Sequence, residues 1–342
     1  MSQSKERNCS IDVFRYVCAI MVIMHHTRCF MDVNQTLGYV IIEICPRFVI
    51  PFFLAVSGYF YIPKLLTGKP VFWPYISKIL QIYVIWSIPY LVVNYYNQVV
   101  KGGRGLISFL LGSIKSFVLD GVTEHFWYFP ALIFAVGFTT LIYKLRGERF
   151  FIPLAIFFFV VGCLGSGYYA IGKNIPGLNR LYHFPYYTVI RRWFLMGYPF
   201  LAGGYLIRKI ENKVKEKKQV RIFWGISIAV FIAEMAMIHI LQLHLNIILT
   251  FALYPLMCTT ILMLLKHPVY RKADVSRLYN TLAKFAYYTH PLFMMLITWV
   301  CYQTAGYEIS QTPLCIVTVI LTFVSGFIIY KCNWGWLNKL VL

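Results

Sequence analysis

The chain reads as an all-α integral membrane protein of about ten transmembrane helices, with both termini cytoplasmic, and three observations say so. Of its 342 residues 59% are hydrophobic and only 13% charged, a balance outside the range of soluble domains. The apolar residues gather into stretches of roughly 20, the length at which a helix crosses the hydrocarbon core of a bilayer. Lysine and arginine fall in short segments between those stretches, as topology signals do. The formal net charge of +20 is therefore not the single basic patch of a nucleic-acid-binding protein, and no nucleic-acid partner is expected.

The first expected span, residues 11 to 30, lacks a small-residue cleavage site and carries Asp12, Arg15, His25, His26 and Arg28, so it is read as a retained signal anchor. The others run near 38 to 62, 73 to 98, 125 to 145, 150 to 170, 192 to 208, 221 to 242, 246 to 266, 282 to 303 and 312 to 332. Between the third and fourth, "GRGLISFLLGSIKSFVLDG" is short and punctuated by glycine and lysine, and is expected to lie as an interfacial or re-entrant helix. Cations follow span two (Lys64, Lys69, Lys78), span four (Lys144, Arg146, Arg149), span six ("RKIENKVKEKKQVR") and span eight (Lys266, Arg271, Lys272, Arg277, Lys284), whereas the loops after spans seven and nine have none. That alternation puts both termini inside. The whole chain is read as one transmembrane domain, with spans one to six as its catalytic half and spans seven to ten supporting, the latter holding chiefly Glu234, His239 and His290. No inverted pair of broken helices stands out, which argues against a familiar secondary-transporter fold.

Ionisable groups inside a span mark functional paths, and the first span has the densest set. Arg15 and His26 are eleven residues apart, which returns to within about 20° of one helical face, some 16 Å along the axis. Cys18 and Val22 complete that stripe, His25 is turned away, and Asp12 stands one turn before Arg15, able to hold its guanidinium. By the expected topology the outer ends of neighbouring spans bring Arg47, His125, Trp127, Arg191 and Arg192 to the level of His26. Cations around a histidine suit an anionic group or a developing oxyanion; anchoring at the lipid interface is the alternative, and it stays open. Ser57 is not framed by a G-x-S-x-G elbow, so Ser57–Gly58 reads as a helix-packing pair ahead of a nucleophile. His290 precedes Pro291, where a kink is expected, and reads as a hydrogen-bonding group ahead of a catalytic one. The remaining histidines show no metal spacing, so no metal is expected, and nine scattered cysteines read as packing residues.

These residues resemble a known pattern. Asp12, Arg15 and, after ten further residues, His26 are similar to the first-span motif of the acyltransferase 3 family. Pro51, Phe52, Phe53, Ser57 and Gly58, the run "HFWYFPA", the set Arg191, Gly197 and Pro199, and Tyr287, His290 and Pro291 follow in the family's order. The resemblance covers nearly the whole chain, and it is closest to the membrane half of vancomycin-resistance serine racemases. It implies a multi-pass enzyme of the cytoplasmic membrane, acting in the cell envelope and linked to antibiotic resistance. Such an enzyme moves an acyl group, commonly acetyl, from acyl-coenzyme A to a hydroxyl of an envelope or small-molecule acceptor, with no tightly bound cofactor. In that reading Arg15 and Asp12 serve the donor, His26 is general base or acyl carrier, and Arg47 and Arg191 stabilise the reacting carbonyl. Arg192, Trp127, His125, Ser57 and His290 would bind donor or acceptor. The subgroup also implies a soluble racemase domain beyond this chain, and with it an alternative, binding or transport of L-serine.

Overall fold

A computed structural model describes residues 6–332. Its longer helices are α1 (Ser10–Thr27), α2 (Val49–Leu66), α3 (Phe72–Tyr95), α4 (Leu106–Leu119), α5 (Tyr128–Arg146), α6 (Phe151–Leu164), α7 (Tyr198–Ile210), α8 (Lys217–Ile240), α9 (Leu253–Lys266), α10 (Ala273–Ala305) and α11 (Gln311–Cys332). The protein is all-α apart from a feature the sequence did not suggest, a three-residue antiparallel ribbon of β1 (Glu6–Asn8) and β2 (Tyr270–Lys272). Among the described residues five helical stretches are long and apolar enough to cross a membrane: Gln35–Leu66, Phe72–Lys101, Glu124–Arg146, Lys217–Ile240 and Gln311–Cys332. A helix underlies each of the other expected spans as well, but α6, α7 and α9 have only 13 or 14 residues.

Two expected spans end differently from the hydropathy reading. Residues 246 to 252 are not helical, and the chain enters α9 only at Leu253. The cause is Glu234 on α8, whose carboxylate accepts the amides of Phe251 (2.8 Å) and Ala252 (2.7 Å) and the hydroxyl of Tyr168 (2.5 Å). A buried carboxylate at a helix N-terminus satisfies donors that have no partner within the helix. α6 stops at Leu164, and short helical turns carry the chain on to Tyr187–Ile190. Conversely, α10 runs 33 residues straight through Pro291 rather than breaking at it.

The chain forms two compact units. One joins the residues up to Val49 with those from Met263 onward; the other is Ile50–Leu262. This boundary differs from the basic connector 208 to 221, because α1 packs on α10 and α11 instead of on its sequence neighbours.

In the first unit the ribbon lashes the start of α1 to the start of α10. The amide of Cys9 donates to Val269 (2.9 Å), and Ser10 Oγ accepts the amide of Val269 (2.8 Å). The two helices then run parallel: Asp12 meets Ser276, Arg15 meets Asn280, and His26 meets His290. Small residues (Ala19, Ala283, Ala286, Cys315) fill the seam beside Ile23, which lets the helix backbones approach closely. α11 runs antiparallel to both, with Thr312 at Phe30, Phe323 on Tyr16, and Tyr330 at Asp274.

In the second unit, α2 and α7 cross where neither has a side chain. A Cβ on Gly58 would lie 1.8 Å from the Leu201 carbonyl, and one on Gly204 2.0 Å from that of Ala55. Backbone contact this close needs glycine on both sides. α4 leaves a stripe of Ile107, Leu111, Ile114 and Val118 exposed, whereas Gly112, Ser113 and Ser116 are half-buried.

Candidate functional site

Within the first unit, the Arg15–His26 face of α1 is matched residue for residue by α10. Arg15 Nη1 donates to Asp12 Oδ1 at 3.0 Å and to Asn280 Oδ1 at 3.4 Å. Ser276 Oγ donates to Asp12 Oδ2 at 2.5 Å. Asp12 is buried, and a charge in that position needs the pairing and hydrogen bonds it has. Both of these Arg15 bonds use Nη1. The guanidinium is held in a fixed attitude, as a planar fork must be to grip a phosphate or amide.

At the other end of the same seam, His26 packs its ring on His290, with centroids 5.1 Å apart and planes tilted 39°. His290 is fully buried, and its Nδ1 lies 2.9 Å from the Ala286 carbonyl. A carbonyl only accepts, so Nδ1 carries the proton and Nε2 of the neutral ring is the basic nitrogen. His290 is thus hydrogen-bonded to its own helix while its ring lies against that of His26. His25 donates its Nδ1 proton to the Ile42 carbonyl at 2.8 Å, and its ring stands edge-on to that of His26 with centroids 5.2 Å apart. Ser276 and Asn280 escaped sequence reasoning. Their signal was helical spacing: Ser276, Asn280 and His290 fall on one side of α10, though that helix carries other polar residues as well.

Arg47 is placed differently from expectation. Its Nε donates to the Glu43 carbonyl (2.6 Å) and its Nη2 pairs with the Glu43 carboxylate. Ile42 meets His25 while Phe48 stacks on Phe14 at 5.8 Å, so the 42–48 segment runs back along α1. Arg47 belongs to that segment, its guanidinium engaged by Glu43. The i,i+4 spacing of Glu43 and Arg47 was readable in the sequence.

Within the second unit, Ser57 Oγ donates to the Phe53 carbonyl at 2.9 Å, and its other neighbour is Tyr128 Oη at 3.5 Å. The serine stands beside the close approach of Gly58 to Leu201. His125, buried, packs edge-on against Tyr90 (5.2 Å). Arg192 pairs with Asp120 (2.5 Å) and lies over Trp127 at 5.0 Å. Arg191, ranked above it from the sequence, lies over Tyr187 at 5.9 Å. Both arginines open a π-helical stretch, Arg191–Gly197, just before Pro199, which has no N–H for the turn below it. Arg192 also lines a cavity of about 670 Å³, together with Asn94, Gln98, Arg104, Lys115 and Asp120, none of them singled out in the sequence. Among the described residues no group of His, Cys, Asp and Glu could hold a metal ion.

The family model described as an acyltransferase domain matches residues 8–331. Two amino-acid racemases of Enterococcus faecalis are 28% identical, one over 217 residues (62% of this chain, 30% of the relative) and one over 244 residues (69% and 34%). A serine/alanine racemase of Enterococcus gallinarum is 25% identical over 247 residues, 68% of this chain and 34% of the relative. The matched region thus spans about a third of the length of each relative. No solved structure matches the chain.

Proposed function

Because the chain belongs to the acyltransferase 3 family, we propose that it is a multi-pass enzyme of the cytoplasmic membrane that transfers an acyl group, acetyl foremost, from acyl-coenzyme A to a hydroxyl. The observation that carries this reading is the α1–α10 seam, a tethered arginine at one end and a paired histidine at the other. Arg15 would hold a phosphate or pantetheine amide of the donor through Nε and Nη2. The separation of about 16 Å to His26 is comparable to an extended pantetheine arm. His26 would take the proton from the acceptor hydroxyl as its oxygen attacks the thioester carbonyl, then return it to the departing thiolate. His290 is a positioning residue, acting through the ring of His26.

Ten crossings with both termini inside remain our reading of the topology. The parallel course of α1 and α10 supports it, since two parallel spans need an odd number of crossings between them, and the proposed scheme has seven.

A second reading, binding of L-serine, draws on the relatives named as racemases and on the Arg192–Asp120 pair. A guanidinium and a carboxylate side by side can meet the two charges of an amino acid. The protein in nanodiscs should be incubated with acetyl-coenzyme A and an envelope extract, and in proteoliposomes with labelled serine. Release of free coenzyme thiol that depends on His26 supports acyl transfer. Serine uptake without thiol release replaces that reading with transport.

A further inference from the structure

The cavity in the Ile50–Leu262 unit does not belong to the α1–α10 seam, and its lining has a definite chemistry. Three cations face it, Arg104, Lys115 and Arg192, against one carboxylate, Asp120. Asp120 is already committed to Arg192. Arg104 is fixed by Gln98 (2.6 Å) and by the Ser108 carbonyl (2.8 Å). Its guanidinium lies against Gly112, where a Cβ would come within 2.6 Å of Nη2. Lys115 on α4 lies over the ring of Tyr186 at 5.1 Å. Asn94 and Gln98 add amides that can bond hydroxyls. A volume of about 670 Å³ falls in the range of pockets for ligands larger than a single small amino acid.

We propose that this cavity binds an anionic, hydroxyl-bearing compound, a phosphate ester of sugar or glycerol size, with Lys115 and Arg192 meeting the phosphate. A cavity with excess positive charge favours an anion by its summed field as well as by contact. Phosphate takes up charge-assisted bonds from lysine and arginine. The proposal stands whether or not the protein transfers acyl groups. The same chemistry is offered by a soluble sugar phosphate and by the headgroup of phosphatidylglycerol, so the test has two arms.

The full chain in phosphatidylcholine nanodiscs is dialysed to equilibrium against labelled glucose 6-phosphate or glucose. In parallel, nanodiscs containing phosphatidylglycerol are assayed for lipid retained through purification in detergent. Saturable binding of glucose 6-phosphate without binding of glucose is expected, weakened about tenfold or more by Lys115→Gln, since a bond to a charged group is lost. Lys115 is exposed, so this change leaves the packing intact. Asp120→Asn removes the competitor for Arg192 and should tighten binding instead. Retention of phosphatidylglycerol with the same response to both variants assigns the anion to the bilayer and supports the proposal. No retained anion in either arm, equal binding of glucose, or indifference to both substitutions overturns it.

Discussion

Arg15→Lys is the perturbation that best separates the two ends of the α1–α10 seam. The substitution keeps the charge but replaces a five-donor planar fork by a single ammonium on a differently shaped stem. In the protein, Nη1 serves both Asp12 and Asn280, with the other guanidinium nitrogens proposed to hold the donor. A lysine has one nitrogen, and the buried carboxylate of Asp12 claims it first, because an unpaired buried charge costs about 3 to 5 kcal/mol. The donor then loses one or two charge-assisted hydrogen bonds, each about 1.5 to 3 kcal/mol. Affinity for acetyl-coenzyme A should accordingly fall by at least about tenfold, while turnover at saturating donor changes little. His26→Ala should do the reverse, retaining donor affinity and lowering turnover by about two to four orders of magnitude. Titration calorimetry in nanodiscs gives the affinity, and thiol release gives the turnover. Should Arg15→Lys bind donor as the unaltered protein does while His26→Ala does not, Arg15 is a structural partner of Asp12 and the donor lies elsewhere.

Gly58→Ala and Gly204→Ala must each push α2 and α7 apart, since the added carbon would sit 1.8 Å and 2.0 Å from a carbonyl oxygen; a loss of at least about 1 to 3 kcal/mol should appear as a lower unfolding midpoint in detergent, and an unchanged midpoint refutes the crossing. Glu234→Gln leaves one of three buried donors facing an amide NH2, so stability should fall by about 2 to 4 kcal/mol, with protease cutting near residues 246 to 252 as the local readout. The Thr312 hydroxyl and amide hold the carboxyl of Asp32 below the usual carboxylate range. Its contribution to stability is therefore complete above about pH 4 and lost as pH falls further; an acid titration of the unfolding midpoint should lose that component in Asp32→Asn. His25→Ala gives up the bond to the Ile42 carbonyl and should cost about 1 kcal/mol without changing turnover.

Local periodicity was enough for much of this molecule. The sequence by itself determined the helical class, the Asp12–Arg15 pair three residues apart, and the shared face of Arg15 and His26. It also determined that Ser57–Gly58 is a packing site, because each of these is settled within a few turns of one helix. The tertiary structure alone decided which helix faces that stripe. Ser276, Asn280 and His290 lie some 264 residues further along the chain from the residues they meet, and a polar stripe on one helix does not by itself name the helix that will face it. It also decided that Arg192 rather than Arg191 takes a carboxylate, that Arg104 and Lys115 line a cavity, and that Glu234 ends a segment that hydropathy alone extended. A charged residue in a helical bundle is placed by whichever opposite charge or backbone donor the packing leaves within reach, and that is a property of the assembled fold.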